Sequence, residues 1–161
     1  MLEITIALPF LLVAVVGASD FGRGVHRAIE LQGAAHAAAR FASQSVEETA
    51  NPDGIAQAAF AALSLNDAYT YEGEHEDEQA SEVRAPVKSY AAGDVGVNVL
   101  RYCKCLNGTE IECEAGDCGQ GAPPSRVYVK VTVERPFQTL ISYPGVPREI
   151  MLARETHVRG R

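Results

Sequence analysis

Ile4 to Ala18 reads ITIALPFLLVAVVGA, an uncharged run closed by Asp20 and Arg23. As a helix, fifteen residues at 1.5 Å each span about 22 Å, short of the roughly 30 Å hydrocarbon core of a bilayer. Met1 to Glu3 and Ser19 bring the segment close to spanning length. Three assignments compete for it. A cleaved secretory signal would have this apolar length, with Gly17-Ala18-Ser19 as a small-residue cleavage site, but the basic n-region is missing. A buried core helix would need hydrophobic surroundings that the downstream sequence does not offer. A membrane-inserted helix fits best.

The helical pattern continues beyond the run. Gly17, Phe21, Gly24, Ala28, Leu31, Ala35, Ala38 and Ala42 follow one another at alternating four- and three-residue steps. That is a heptad-like seam of mostly small residues, which lets helix backbones approach closely. The next proline after Pro9 is Pro52, and Asn51-Pro52-Asp53-Gly54 ends the pattern with turn chemistry. One helix is therefore expected from about Leu2 to about Val46, apolar all round only in its first part. The seam is read as a subunit-assembly face, and the bland alternative is an Ala-rich helix lying on its own domain. Pro9 removes one backbone hydrogen bond and marks a local bend. Gly17, Gly22 and Gly24 weaken the helix, so a partly melted stretch is expected around Gly22 to Gly24.

Glu3 is the odd residue of the apolar segment. A carboxylate there is costly unless it lies at the interface or is paired, so a functional role competes with that of a first-turn acid favoured by the helix dipole.

Downstream, Ile55 to Leu65 (IAQAAFAALSL) reads as a short second helix, and Glu72 to Glu82 (EGEHEDEQASE) as a solvated acidic loop. That loop lacks the ligand order and central Gly of a calcium loop. From Val95 the period changes to two. VGVNVLRYCKCL alternates as a strand, and Asn107-Gly108 signals a hairpin before Thr109 to Cys113. Arg126 to Arg135 (RVYVKVTVER) is the clearest strand, with Val127, Val129, Val131 and Val133 on one face. Pro136-Phe137 is read as its end, Tyr143-Pro144-Gly145 as a turn, and Glu149 to Val158 as a last strand. The chain thus divides into a helical segment, 1–48, and a globular α+β segment, 49–161. The fold class is α+β: a long N-terminal helix followed by a small antiparallel sheet.

The four cysteines, Cys103, Cys105, Cys113 and Cys118, lie within one short segment. Their C-x-C spacing fits zinc poorly, since structural zinc sites favour C-x2-C pairs. Two disulfides made in an oxidising compartment are expected. Cys103 and Cys105 point to one face of their strand, so each should bond a partner beyond the turn; which takes Cys113 and which Cys118 stays open.

A net charge of −7 argues against nucleic-acid binding, which needs a basic surface to displace counterions from phosphate. The four histidines (His26, His36, His75, His157) are scattered, and no nucleophile elbow, P-loop or dinucleotide fingerprint occurs. The expectation is a chain without catalysis, cofactor or metal. Asn107-Gly108-Thr109 matches a glycosylation sequon, but the turn explains the same residues.

At two places the sequence resembles a known family, the TadE-like pilins and pseudopilins of tight-adherence (Tad, or Flp-type) pili. The first is LEITIALPFLLVAVVGASDFGR followed by Leu31, Ala34, Ala35, Ala39, Arg40 and Ala42; the second is YCKCLNG, a later Cys, YVKVTVERPF and SYPG. The resemblance implies a leader removed by a prepilin peptidase, residence in the bacterial inner membrane, and extraction by assembly machinery into an extracellular helical filament. Its partners would be copies of itself or related pilins. Glu3 aligns with the acidic position that, in such proteins, pairs with a neighbour's terminal ammonium. In the usual pattern that acid is the fifth mature residue and here it is the third, which leaves the mature N-terminus open. The roles implied are a major subunit, a minor priming or tip subunit, or a membrane-anchored accessory protein that does not polymerise.

Overall fold

The computed structural model describes residues 2–65, 69–76, 85–114, 118–119, 126–141, 145 and 147–160, with side chains from Ala7 onward in the first helix and up to Glu74 in the first strand. Helix α1 (Leu2–Ala42) leads into a short turn of helix, α2 (Val46–Thr49), and then α3 (Pro52–Ala62). Six strands follow: β1 (Thr70–Glu76), β2 (Pro86–Ala92), β3 (Val95–Lys104), β4 (Glu110–Ile111), β5 (Arg126–Gln138) and β6 (Glu149–Arg159). They form one antiparallel sheet in the order β1-β2-β3-β5-β6. β4 pairs with the far end of β3, on the edge that β2 leaves. The α+β fold class expected from sequence is the one observed.

Period two builds the core. Val95, Val97 and Val99 of β3 and Val129, Val131 and Val133 of β5 share one face, with Val97 opposite Val133 and Val99 opposite Val131. Leu31, Ala34, Ala35, Ala38 and Ala42 of α1, with Ile55, Ala56, Ala59 and Phe60 of α3, pack on that face. All of these side chains are buried. The second half of α1 belongs to the same hydrophobic cluster as the sheet.

Helix α1 ends at Ala42, four residues before the expected Val46, and α2 is capped by Ser45, whose Oγ accepts from Glu48 N–H at 3.2 Å. The expected turn at Asn51–Gly54 is instead the start of α3. Asn51 caps it, its side chain accepting from Gly54 N–H at 3.0 Å, and Pro52 takes the first helical position, where its missing N–H costs nothing. Gly54 is closely covered: a Cβ there would lie 2.7 Å from the Phe41 ring and from the Asn51 side chain, so a larger residue would push those side chains aside.

Two further expectations are corrected. The acidic loop was expected to begin at Glu72, yet Thr70–Glu76 is an edge strand paired with β2, bulged between Tyr71 and Gly73. Backbone pairing overrides the charge pattern, and exposed acids on an edge strand discourage further strand addition. The rest of that expected loop, 77–82, lies outside the described residues. So do Tyr143 and Pro144 of the expected turn. Pro136-Phe137 does not end β5 either. Beyond Glu134 the strand has outrun β3 and pairs with β6 alone, Pro136 opposite Met151, so a residue without an N–H is tolerated at a free edge.

The disulfides are Cys103–Cys113 and Cys105–Cys118, which fixes the pairing that spacing left open. Each C-x-C cysteine reaches across the hairpin turn, as their shared face requires. In that turn Gly108 takes φ 89°, and the Asn107 side chain accepts from Thr109 N–H at 3.1 Å, which explains Asn-Gly by turn geometry. Replacing Cys105 and Cys118 together by Ser opens a loop of 13 residues and should lower unfolding free energy by about 2–3 kcal/mol in urea titrations.

Tyr90 is buried between the sheet and α3, and its phenol donates to Asp53 Oδ1 at 2.7 Å. Burial, then the Asp53 hydrogen bond and charge, hold its pKa well above the ordinary phenol range. The folded state therefore keeps this proton after the unfolded chain has lost it. The stabilisation is complete below pH about 10, the unfolded phenol value, and falls as pH rises above it. Alkaline denaturation followed by circular dichroism should show that loss, and Tyr90→Phe should flatten it.

Candidate assembly site on the N-terminal helix

Helix α1 has two halves with different surroundings. Every side chain from Ala7 to Val15 is exposed, including Leu8, Phe10, Leu11, Leu12 and Val13. From Leu31 onward one face is buried in the core. The helix runs without interruption through Pro9, Gly22 and Gly24, so the melted stretch expected at Gly22 to Gly24 is not there. One reason lies outside the helix. Phe137, from the extended end of β5, packs over Gly24, its ring 3.7 Å from where a Cβ would stand. The Arg23 guanidinium lies over the Phe137 ring, 5.8 Å from its centre.

Asp20 completes the contact. Its side chain is buried, 5% exposed, at the point where the apolar run ends. Both carboxylate oxygens accept from Leu140 N–H at 3.0 Å, and Arg23 donates to one at 3.3 Å. The β5–β6 hairpin beyond Glu134 is thus a two-stranded arm that reaches up α1 and is fixed to it at Asp20. In the sequence Asp20 marks only the end of the apolar run. Its signal was available, a lone acid with an Arg three residues on, but its partner is 120 positions away.

The expected seam divides along the same line. Leu31, Ala35, Ala38 and Ala42 are buried in the chain's own core, against α3 and the sheet. Gly24 and Ala28 are half-buried, Gly24 beneath the arm. Gly17 is half-buried and Phe21 is 75% exposed. Pro9 is exposed within the helix, and the Glu3 side chain lies outside the described residues. A different face of α1 is open from Ala7 to Ile29. Ala7, Leu11, Ala14, Ala18, Gly22, Val25 and Ile29 recur at steps of three and four, and all are exposed. Ala14, Ala18 and Gly22 place a small residue every fourth position, and a Cβ at Gly22 would meet nothing within 4 Å.

The most apolar 18-residue window of this helix has a mean hydropathy of 1.4, and 6% of it is buried. By length and composition α1 suits a membrane span. Residues 1–40 match the family model for TadE-like protein. The N-terminal helix is TadE-like. The match covers the apolar run and the buried seam as far as Arg40. The sheet that holds the TadE-like helix lies outside the matched residues. No curated protein and no solved structure matches the chain.

Other polar clusters are local to the sheet. On the face away from the helices, Tyr102 stacks on Tyr128, and its hydroxyl lies 3.1 Å from His157 Nδ1. Burial pushes the Glu155 carboxyl up, but the His157 and Lys130 hydrogen bonds and charges outweigh it and hold it below the usual carboxylate range. His26 pairs with Glu30 and His36 with Gln32, so these histidines and His157 do not converge. Among the described residues no group of three or more His, Cys, Asp or Glu is arranged to hold a metal.

Removing the Asp20 carboxylate leaves the Leu140 N–H without its side-chain acceptor. Asp20→Ala should cost about 1–3 kcal/mol. In hydrogen-exchange mass spectrometry, protection should fall first in residues 136–141, while the β3–β5 ladder keeps its protection. Asp20→Asn, which keeps one acceptor oxygen, should show a smaller loss.

Proposed function

We propose that this chain is a structural subunit of a Tad-type pilus, held in the inner membrane by α1 and then assembled through the same helix into an extracellular filament. The observation that carries the reading is the exposed first half of α1. An apolar helix projecting from its own folded domain needs either lipid or other helices around it. The TadE-like match over that helix supports the same reading. The role is structural, with prepilin peptidase and the pilus assembly machinery as transient partners and copies of this chain or related pilins as lasting ones.

In this reading the subunit contact uses the open face of α1, from Ala7 through Gly22 to Ile29. The buried part of the seam instead ties each domain to its own helix. Close helix packing is favoured by small residues at Ala14, Ala18 and Gly22. Glu3 would meet a neighbour's terminal ammonium, since a carboxylate and an ammonium in a water-poor filament core are each costly unless paired.

Two substitutions test the proposal. Glu3→Ala should abolish fibres seen by electron microscopy of sheared material while the protein stays in the membrane fraction. Gly22→Leu adds a side chain where the monomer has space and improves helix propensity by several tenths of a kcal/mol. It should leave thermal unfolding of the domain unchanged or slightly raised and still block fibres. Normal fibres from both variants would sink the assembly role. A wild-type protein confined to the membrane fraction and absent from sheared fibres would identify a non-polymerising accessory instead. Mass spectrometry of the fibre protein would also fix the mature N-terminus.

A further inference from the structure

Toward the outer end of the described part of the β5–β6 arm, apolar side chains are exposed. Leu140 is 55% exposed and Ile141 38%, and behind them Met151 is 58% exposed. They stand at one end of the molecule, and that end is set by the Asp20 contact: the Leu140 N–H is bonded to the residue at which the apolar run of α1 stops.

We infer that the arm tip, through Leu140 and Ile141, enters the interfacial layer of the lipid bilayer beside α1 while the subunit resides in the membrane. The inference rests on the reading of α1 as a membrane-inserted helix and adds a second point of contact to it. Depth gives the argument. Leu2 to Ser19 is 18 residues of helix, about 27 Å at 1.5 Å per residue, close to the roughly 30 Å of hydrocarbon. Asp20 then falls at the level of the headgroups, and Leu140 is held at the same level.

The polar groups around the tip suit that depth. Asp20 is buried against the arm and so is kept from lipid. Arg23, with its side chain 52% exposed, lies on the side away from the apolar run, where a cation meets phosphates. Thr139 N–H donates to the Arg148 carbonyl at 3.1 Å, which leaves the backbone partly satisfied as the tip approaches an apolar phase. A second copy of the chain would also cover apolar residues, but nothing would then require them to sit level with the end of the apolar run.

The chain contains no tryptophan, so single tryptophans report without background. The test uses the full chain in phosphatidylcholine vesicles whose acyl chains are brominated either near the headgroup or near the terminal methyl. Leu140→Trp keeps the backbone N–H that bonds Asp20. Leu12→Trp reports on the helix, and Leu106→Trp, on the hairpin turn at the other end of the sheet, reports on the distant surface.

The expected result is strong quenching at position 12 by deep bromines, loss of most emission at position 140 with shallow bromines only, and none at position 106. Quenching at 12 with water-exposed emission at 140 would overturn the arm contact and leave the anchor intact. No quenching at 12 would overturn the membrane reading and this inference with it. Blue-shifted emission at 140 that ignores bromine and weakens on dilution with lipid would show a second copy covering the tip, and would overturn the lipid contact.

Discussion

The close fit of four alanines on a valine sheet governs the rest of this structure. Ala34, Ala35, Ala38 and Ala42 present almost no side chain, so the backbone of α1 can lie close to β5, with its core residues Val131 and Val133, and to β6, while Leu31 fills the space at one end. Small residues at such a contact lose little conformational entropy and let many atoms meet at van der Waals distance. Because α1 is one unbroken helix, fixing its second half also fixes the direction of its first. The exposed apolar segment is therefore aimed by the core, some twenty residues away from it.

The features that were legible in the sequence are those whose cause is local. The alternation of valines in Val95–Lys104 and Arg126–Arg135 identified β3 and β5 because side-chain direction reverses at every residue of a strand. The same rule put Cys103 and Cys105 on one face and excluded a bond between them. The seam from Leu31 to Ala42 was visible as a packing face, but a period of three and four says that a face packs without saying on what. Here the partner is the chain's own sheet.

What was not legible depends on distant neighbours. Thr70–Glu76 carries acids that suggest a loop, and only its ladder with β2 makes it a strand. Pro136 reads as a stop, and only the early end of β3 allows β5 to continue past it. Asp20 reads as punctuation after the apolar run, and its function in the fold depends on a backbone N–H near the other end of the chain. Legibility of the candidate site divides the same way: its apolar composition is a property of the sequence, whereas which face of the helix stays open is decided by the sheet.

The arm has a mechanical consequence. From Asp20 to Leu31 the helix climbs about 16 Å before the main core begins, and over that distance the arm runs beside it. The domain is thus carried on two struts joined at both ends, by the sheet at one and by Asp20 and Phe137 at the other. The ribbon beside the helix therefore holds the rotational setting of the apolar segment relative to the domain, so the same helix face stays open whatever force acts on the domain.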